Sequence, residues 1–274
     1  TATNEGKVGF TVLLDHLVHS FVFPDDPAYL RYDYEKVSSW LIANASARAS
    51  RPLRILFLGG GGYTLPRYVS SFYSEHAVTV VEIDPRVTEA NYQHLGLSRT
   101  TSIVTVNEDA RRYLERTNDR YDIIFGDAFN DFAVPFHLTT QEFHTIVNDH
   151  LAPGGLYAAN VIDDTRGGRF LASMLATFRV AFPFTYLAPL SETWEKRSRN
   201  TLLVVGSRAP IDAALLSTHV PRGRETETEK ERHLLALLSD PEYGDFIVRR
   251  RGIILTDDYA PVDNFLASVF RAAQ

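Results

Sequence analysis

Five short apolar runs, each separated from the next by a helix-length stretch, constrain this 274-residue chain more than any other feature. They lie at 54–58, 77–81, 103–106, 121–125 and 156–161. Predicted helices follow them at 64–73, 85–95, 110–117, 140–151 and 169–182. Strands of four to six apolar residues alternating with helices require a parallel sheet covered on both faces. Residues 185–187 and 201–205 read as a final strand pair. In such a sheet, ligands sit beyond the carboxyl ends of the strands, so those ends are the positions to inspect.

The flanks read differently. Residues 7–14 and 17–23 are rich in β-branched and aromatic residues around Asp15-His16, which predicts a β-hairpin. Pro24-Asp25-Asp26-Pro27 breaks that pattern, and a helix is expected over 28–45. Residues 208–242 form a charged segment expected to be helical, and the tail 255–270 carries Thr256-Asp257-Asp258. The expected organisation is a hairpin and helix (1–50), a Rossmann-like nucleoside-binding catalytic domain (51–210), and a C-terminal helical segment and tail packed on that domain (211–274). The chain begins Thr1-Ala2-Thr3, with neither an initiator Met nor a charged-then-apolar leader, which reads as a piece of something longer.

Composition narrows the chemistry. The chain has no cysteine, which removes disulfides, thiolate metal sites and thiol nucleophiles. Its formal charge of −6 lacks the basic stripe of a nucleic-acid binder and favours a cationic ligand over an anionic one. The apolar runs are strand-sized, far short of a membrane span. None of the nine histidines falls in a His-x-x-x-His spacing, so His137, His144 and His150 read as surface or core residues and no metal is expected. Asp257 and Asp258 read as capping or surface acids, and the Arg249-Arg250-Arg251 run as solvated.

Three successive strand ends offer matching chemistry. The first run ends in Gly59-Gly60-Gly61-Gly62-Tyr63-Thr64, a turn that lets a ligand lie against the main chain. A dinucleotide fingerprint would need glycine where Thr64 stands. The second ends in Glu82, placed to accept both hydroxyls of a ribose, while Asp84 suits capping of the helix that opens at Pro85. The third is followed by Glu108-Asp109-Ala110, where Asp109 either accepts the exocyclic amine of an adenine or caps the next helix. The fourth runs into Asp127-Ala128-Phe129-Asn130-Asp131, an acid-bearing loop at the sheet's carboxyl edge, the natural place for catalysis.

Together these strand ends resemble the spermidine synthases, the aminopropyltransferase branch of the seven-stranded methyltransferase-like fold. Leu58-Gly59-Gly60-Gly61 is similar to that family's glycine loop, Val81-Glu82-Ile83-Asp84 to its ribose segment and Glu108-Asp109-Ala110 to its adenine segment. Asp127 through Thr140-Gln141-Glu142-Phe143 resembles its catalytic loop. Weaker echoes lie at 14–19 and at Tyr34-Glu35. The resemblance spans roughly residues 14–207. It implies an α/β, Rossmann-like seven-stranded sheet with a small N-terminal β-hairpin. It implies decarboxylated S-adenosylmethionine as co-substrate, putrescine or another polyamine as acceptor, and methylthioadenosine as product, without metal. Asp127 would be the catalytic base. Gly59, Gly60, Gly61, Glu82, Asp109, Ala110 and His19 would bind the donor, and Tyr34, Tyr63, Asn130 and Asp131 the substrate.

The residues also depart from that family. Its glycine loop carries an Asp where Gly62 stands, its catalytic loop a second Asp where Asn130 stands, and its hairpin a Gln where His19 stands. Tyr186 and Trp194 lie in the region of its acceptor-site aromatics. The sequence looks most like members whose enzyme domain follows a multi-pass membrane region, which implies a cytoplasmic domain, homodimeric, of a membrane-fused protein. Two other readings share the core: an S-adenosylmethionine-dependent methyltransferase, and a non-catalytic nucleoside- or polyamine-sensing domain. A nicotinamide dehydrogenase ranks last, since it leaves the Asp127 loop unexplained.

Overall fold

The computed structural model describes residues 2–4, 7–14, 17–128 and 134–271. Three antiparallel strands open the chain: β1 (Ala2–Asn4), β2 (Lys7–Leu14) and β3 (Leu17–Val22). Helix α1 (Asp33–Arg48) leads into the main sheet. The alternating region follows as β4 (Arg54–Leu58), α2 (Thr64–Phe72), β5 (Ala77–Val81), α3 (Pro85–His94), β6 (Val104–Val106), α4 (Ala110–Arg116), β7 (Tyr121–Gly126), α5 (Gln141–Asp149), β8 (Leu151–Asp163) and α6 (Phe170–Ala181). The chain continues as β9 (Phe184–Ala188), β10 (Asn200–Ser207), α7 (Thr228–Glu231), β11 (Leu238–Ser239), α8 (Asp240–Arg249) and α9 (Val262–Arg271).

The large sheet has the order β11-β9-β10-β8-β7-β4-β5-β6. Strands β4 to β8 run parallel, and β10 runs antiparallel between β8 and β9. Alternate side chains of the central strands enter two cores. Leu56, Leu58 and Ile124 join a cluster with α4, α5, α6, α8 and α9, whereas Ile55, Phe57, Ile123 and Phe125 join one with α1 and α2. Burial on both faces explains why these strands read as unbroken apolar runs.

The register is what positions the site. Leu58 pairs with both Val81 and Gly126, Val81 pairs with Val106, and Gly126 pairs with Ala159. The carboxyl ends of β4, β5, β6 and β7 are therefore level along one rim, beside Ala159 of β8, which runs on to Asp163. The helices that leave this rim start on local caps: Asp84 accepts from Arg86 N–H, Asp109 from Arg112 N–H and Thr140 from Phe143 N–H.

Four sequence expectations change. The helix expected from residue 28 begins at Asp33, because Asp26 Oδ1 accepts Ala28 N–H and the helical turn closes only where Glu35 reaches back to Tyr32 N–H. The fifth strand begins at Leu151, not 156. Pro153-Gly154-Gly155, read as a helix stop, lies inside an irregular stretch of strand with Gly154 at φ +76°. The sheet has eight strands instead of seven, since the C-terminal segment adds the two-residue β11 beside β9. That charged segment is chiefly short 3-10 turns, at Ala213–Thr218, Glu225–Glu227 and Arg232–Leu234, plus the single turn of α7.

Candidate active site

Above the level rim opens a cleft of about 260 Å³, lined by α1, the glycine turn, and the residues that follow β5, β6 and β7. The glycine turn shapes its floor. Gly59 has φ +105°, and a Cβ there would run into the main chain of Asp127, so only glycine lets these two strand ends close on each other. Gly59 N–H donates to Val81 O at 2.8 Å and Asp127 N–H donates to Leu58 O at 2.9 Å, tying three rim segments together.

Glu82 joins the glycine turn from the side. Its Oε2 accepts Gly60 N–H at 2.8 Å and Gly61 N–H at 3.4 Å, and its Oε1 accepts Asp84 N–H at 2.9 Å. The carboxylate is buried yet lines the cleft, with acceptor capacity left on Oε1 for a ligand hydroxyl. Asp84 caps α3, as the sequence suggested.

At the next turn Asp109 does two things. Its Oδ1 accepts Arg112 N–H at 3.0 Å as the cap of α4, and its Oδ2 lies 2.9 Å from His137 Nε2. Burial works to raise the Asp109 carboxyl, but hydrogen bonds from Arg112 N–H and His137 outweigh it and hold the group below the ordinary carboxylate range. Asp109, Ala110 and His137 all line the cleft. His137, discounted in the sequence as a surface or core residue, is thus a site residue; its partner is 28 positions away and no local pattern announces it.

Asp127 sits at the end of β7 between two donors. Tyr34 Oη donates to its Oδ2 at 2.9 Å, and Asn160 Nδ2 donates to its Oδ1 at 2.8 Å. Tyr34 comes from α1 and its phenol is pushed well above its ordinary value, first by burial and then by the Asp127 charge. Asn160 is a signal that sequence reasoning passed over: an amide inside the apolar run of β8. Beside Tyr34, Glu35 is 2% exposed and its carboxyl is raised to about 8, chiefly by burial, against the hydrogen bond from Tyr32 N–H and with the help of Asp127. Among the described residues Glu35 has no cationic partner. Ser20 Oγ, Ser38 Oγ and Asn160 Oδ1 are buried without a hydrogen-bond partner among the described residues, and all three side chains line the cleft.

Two expectations need correction. Tyr63, expected at the substrate, is fully buried: its left-handed backbone (φ 51°) turns the ring under Gly60, and its hydroxyl pairs with Thr88 Oγ1 at 3.2 Å. It supports the glycine turn from below and does not line the cleft. Tyr186 and Trp194 are also buried away from it, Tyr186 accepting Ile211 N–H and Trp194 packed on Phe246 at 5.0 Å. Gly62 has a physical reason to be glycine, because a Cβ there would come within 2.5 Å of Ser20 Oγ and 2.6 Å of Val22 Cγ2. The hairpin strand β3 occupies the space that a longer side chain would need. Asn130 and Asp131 lie outside the described residues, as does the side chain of His19.

The cleft's charge is one-sided. Glu35, Glu82, Asp84, Glu108, Asp109 and Asp127 line it, and among the described residues no Lys or Arg does. Among the described residues no group of three or more His, Asp and Glu side chains is arranged to hold a metal ion, and no helix is long and apolar enough to cross a membrane.

Known proteins share part of this sequence and its fold. Residues 36–165 match the spermine/spermidine synthase domain. A probable polyamine aminopropyl transferase of Bifidobacterium longum is 34% identical over 125 residues, covering 45% of this chain and 28% of the relative. The polyamine aminopropyltransferase of Vibrio vulnificus is 35% identical over 121 residues, covering 42% of this chain and 40% of the relative. The chain thus spans well under half the length of these relatives. A probable spermidine synthase from Corynebacterium glutamicum superposes with a TM-score of 0.70 over 85% of this chain and 90% of that one, at 24% identity, and shares its Rossmann-like, methyltransferase-type fold.

Proposed function

With residues 36–165 carrying a spermine/spermidine synthase domain, we propose that this chain moves an aminopropyl group from decarboxylated S-adenosylmethionine to a polyamine such as putrescine, releasing methylthioadenosine. The observation that carries the reading is Asp127, held by Tyr34 and Asn160 at the end of a cleft lined by six acidic side chains without a Lys or Arg among the described residues. Both reactants are cations, and such a cleft attracts them.

In this reading Glu82 accepts the ribose hydroxyls, Asp109 the adenine amine, and the backbone of Gly59, Gly60 and Gly61 lies against the nucleoside, with Ala110 beside the base. The chemical step needs an unprotonated amine. Asp127 accepts the acceptor's proton; the amine nitrogen then forms a bond to the propyl carbon beside the sulfonium. The carbon–sulfur bond breaks with its electron pair passing to sulfur, and the neutral thioether leaves without an acid. Tyr34 and Asn160 keep the Asp127 carboxylate aimed, and removing a base so positioned costs on the order of a hundredfold or more in rate. A ligand ammonium entering beside Glu35 would favour the ionised form of that buried carboxyl. The reading extends, on the resemblance alone, to a cytoplasmic homodimer joined to a membrane region.

The crowding of Gly62 by Ser20 favours one competing reading, a methyltransferase, because it removes the room for the family's donor-binding acid. Incubating the purified chain with decarboxylated S-adenosylmethionine and putrescine, and separately with S-adenosylmethionine and an amine, separates the two. Methylthioadenosine in the first mixture is the expected result. S-adenosylhomocysteine in the second mixture alone would make it a methyltransferase, and tight nucleoside binding without turnover would make it a sensor.

A further inference from the structure

We propose that His137 is a positioning residue that aims Asp109 at the ligand's base, so that this end of the cleft selects a purine bearing an exocyclic amine over one bearing a carbonyl there. The inference rests on the reading of Asp109 as the base acceptor and concerns what makes that acceptor selective.

Geometry carries it. Asp109 has one oxygen committed to the helix: Oδ1 accepts Arg112 N–H. The other, Oδ2, is free to turn only as far as His137 Nε2 at 2.9 Å allows. A carboxylate offers acceptors only, so the bond places the proton on Nε2 and leaves the remaining lone pairs of Asp109 as acceptors. An amino group facing them donates. A carbonyl oxygen facing them meets a second acceptor, and neither can be satisfied. If Asp109 were protonated it could donate to that carbonyl, and if it rotated away the carbonyl would face no opposing acceptor; either change would erase the distinction. His137 opposes both changes, and hydrogen bonding from His137 is one of the forces holding the Asp109 carboxyl low.

His137 is itself placed by the fold. It sits in the 3-10 turn Phe136–Leu138, closed by Leu138 N–H to Pro135 O and Thr139 N–H to Phe136 O, both at 2.9 Å. Arg111 Nη1 donates to His137 O at 3.3 Å, and the same guanidinium grips Asp257 with bonds of 2.8 and 2.6 Å. Asp257 also accepts Thr140 Oγ1 at 2.7 Å. α4 and the tail loop thus brace the turn that carries the imidazole, which fixes where the His137 main chain sits.

The test measures dissociation constants of 5′-methylthioadenosine and 5′-methylthioinosine by calorimetry for wild type, His137→Ala, His137→Gln and Asp109→Asn. Wild type should prefer the amino base, and His137→Ala should lower that preference about tenfold, as expected for one lost charge-assisted hydrogen bond. His137→Gln, whose amide still donates, should restore most of it. Asn remains a good helix cap, so Asp109→Asn tests the acceptor without losing α4. If Asp109→Asn lowers the preference but His137→Ala leaves it at the wild-type value, the role given to His137 is wrong while the base reading survives. If neither variant changes it, the base reading falls as well. Since the His137 side chain is 37% exposed, its replacement leaves the core intact, and unchanged melting temperatures verify this.

Discussion

Tyr34 Oη and Asp127 Oδ2 lie 2.9 Å apart although 93 residues separate them in the chain. Helix α1 thereby reaches over the sheet rim and fixes the acid at the end of β7, with Asn160 holding the opposite oxygen. In the proposed reaction, Asp127→Asn should lower turnover by about a hundredfold or more. Tyr34→Phe, which leaves the carboxylate in place but less well aimed, should lower it about tenfold. Donor affinity should change little in either. Steady-state rates with calorimetric donor affinities check this; a fully active Asp127→Asn would move the base elsewhere.

Glu35 should make stability fall as pH rises. Its carboxyl titrates near 4.5 when unfolded and at about 8 in the fold, because burial favours the neutral form. Between those values the folded chain keeps a proton that the unfolded chain has released. The stabilisation is complete below about pH 4.5 and is lost as pH rises through about 8. The slope for one such proton is at most ~1.4 kcal/mol per pH unit. Denaturant titrations at several pH values between these limits should show a smaller decline for Glu35→Gln than for wild type. The comparison isolates Glu35 from Asp163, a second buried acid raised to about 7 and present in both proteins. Equal slopes would show that Glu35 is not held neutral.

Glu82→Gln should weaken methylthioadenosine binding by roughly tenfold to a hundredfold, the range for a lost hydrogen bond to a charged acceptor. The amide would also point a donor at either the glycine turn or Asp84 N–H, where the carboxylate accepted on both sides. Calorimetry on the folded variant measures the effect, and wild-type affinity would remove Glu82 from the ribose.

Two glycines of the same turn should respond oppositely. Gly59→Ala drives a methyl group into the Asp127 main chain at a φ of +105°, so a loss of about 3 kcal/mol and a loss of turnover are expected together. Gly61→Ala meets no protein atom within 4 Å at φ +48° and should cost only about 1 kcal/mol of stability. Melting curves and rates on both variants check the contrast; equal effects would mean the Gly59–Asp127 approach does not matter.

How much of this was legible beforehand depends on the range of the interaction. Strands β4 and β5 are legible to the residue, since each is a five-residue run with four apolar residues, closed by a turn signal. The candidates Glu82, Asp109 and Asp127 stand out in the sequence because Glu82 and Asp127 directly follow a strand and Asp109 lies three residues past one, and a parallel register makes strand ends neighbours. Tyr63 was misplaced for a related reason: adjacency to the glycine turn said nothing about which side of the backbone its ring would take, and a left-handed φ turned it inward. His137 and Asn160 were missed because their partners lie 28 and 33 residues off.

The amino-acid pattern alone determined the alternating sheet, the rim and the acids upon it, because periodicity and strand-end chemistry are local. Only the tertiary structure decided which atoms of those acids are already taken, that Glu35 is enclosed without a cation among the described residues, and that Ser20 crowds Gly62. Those outcomes depend on how α1 and the hairpin settle over the rim. That is a matter of packing between distant segments, which no local spacing encodes.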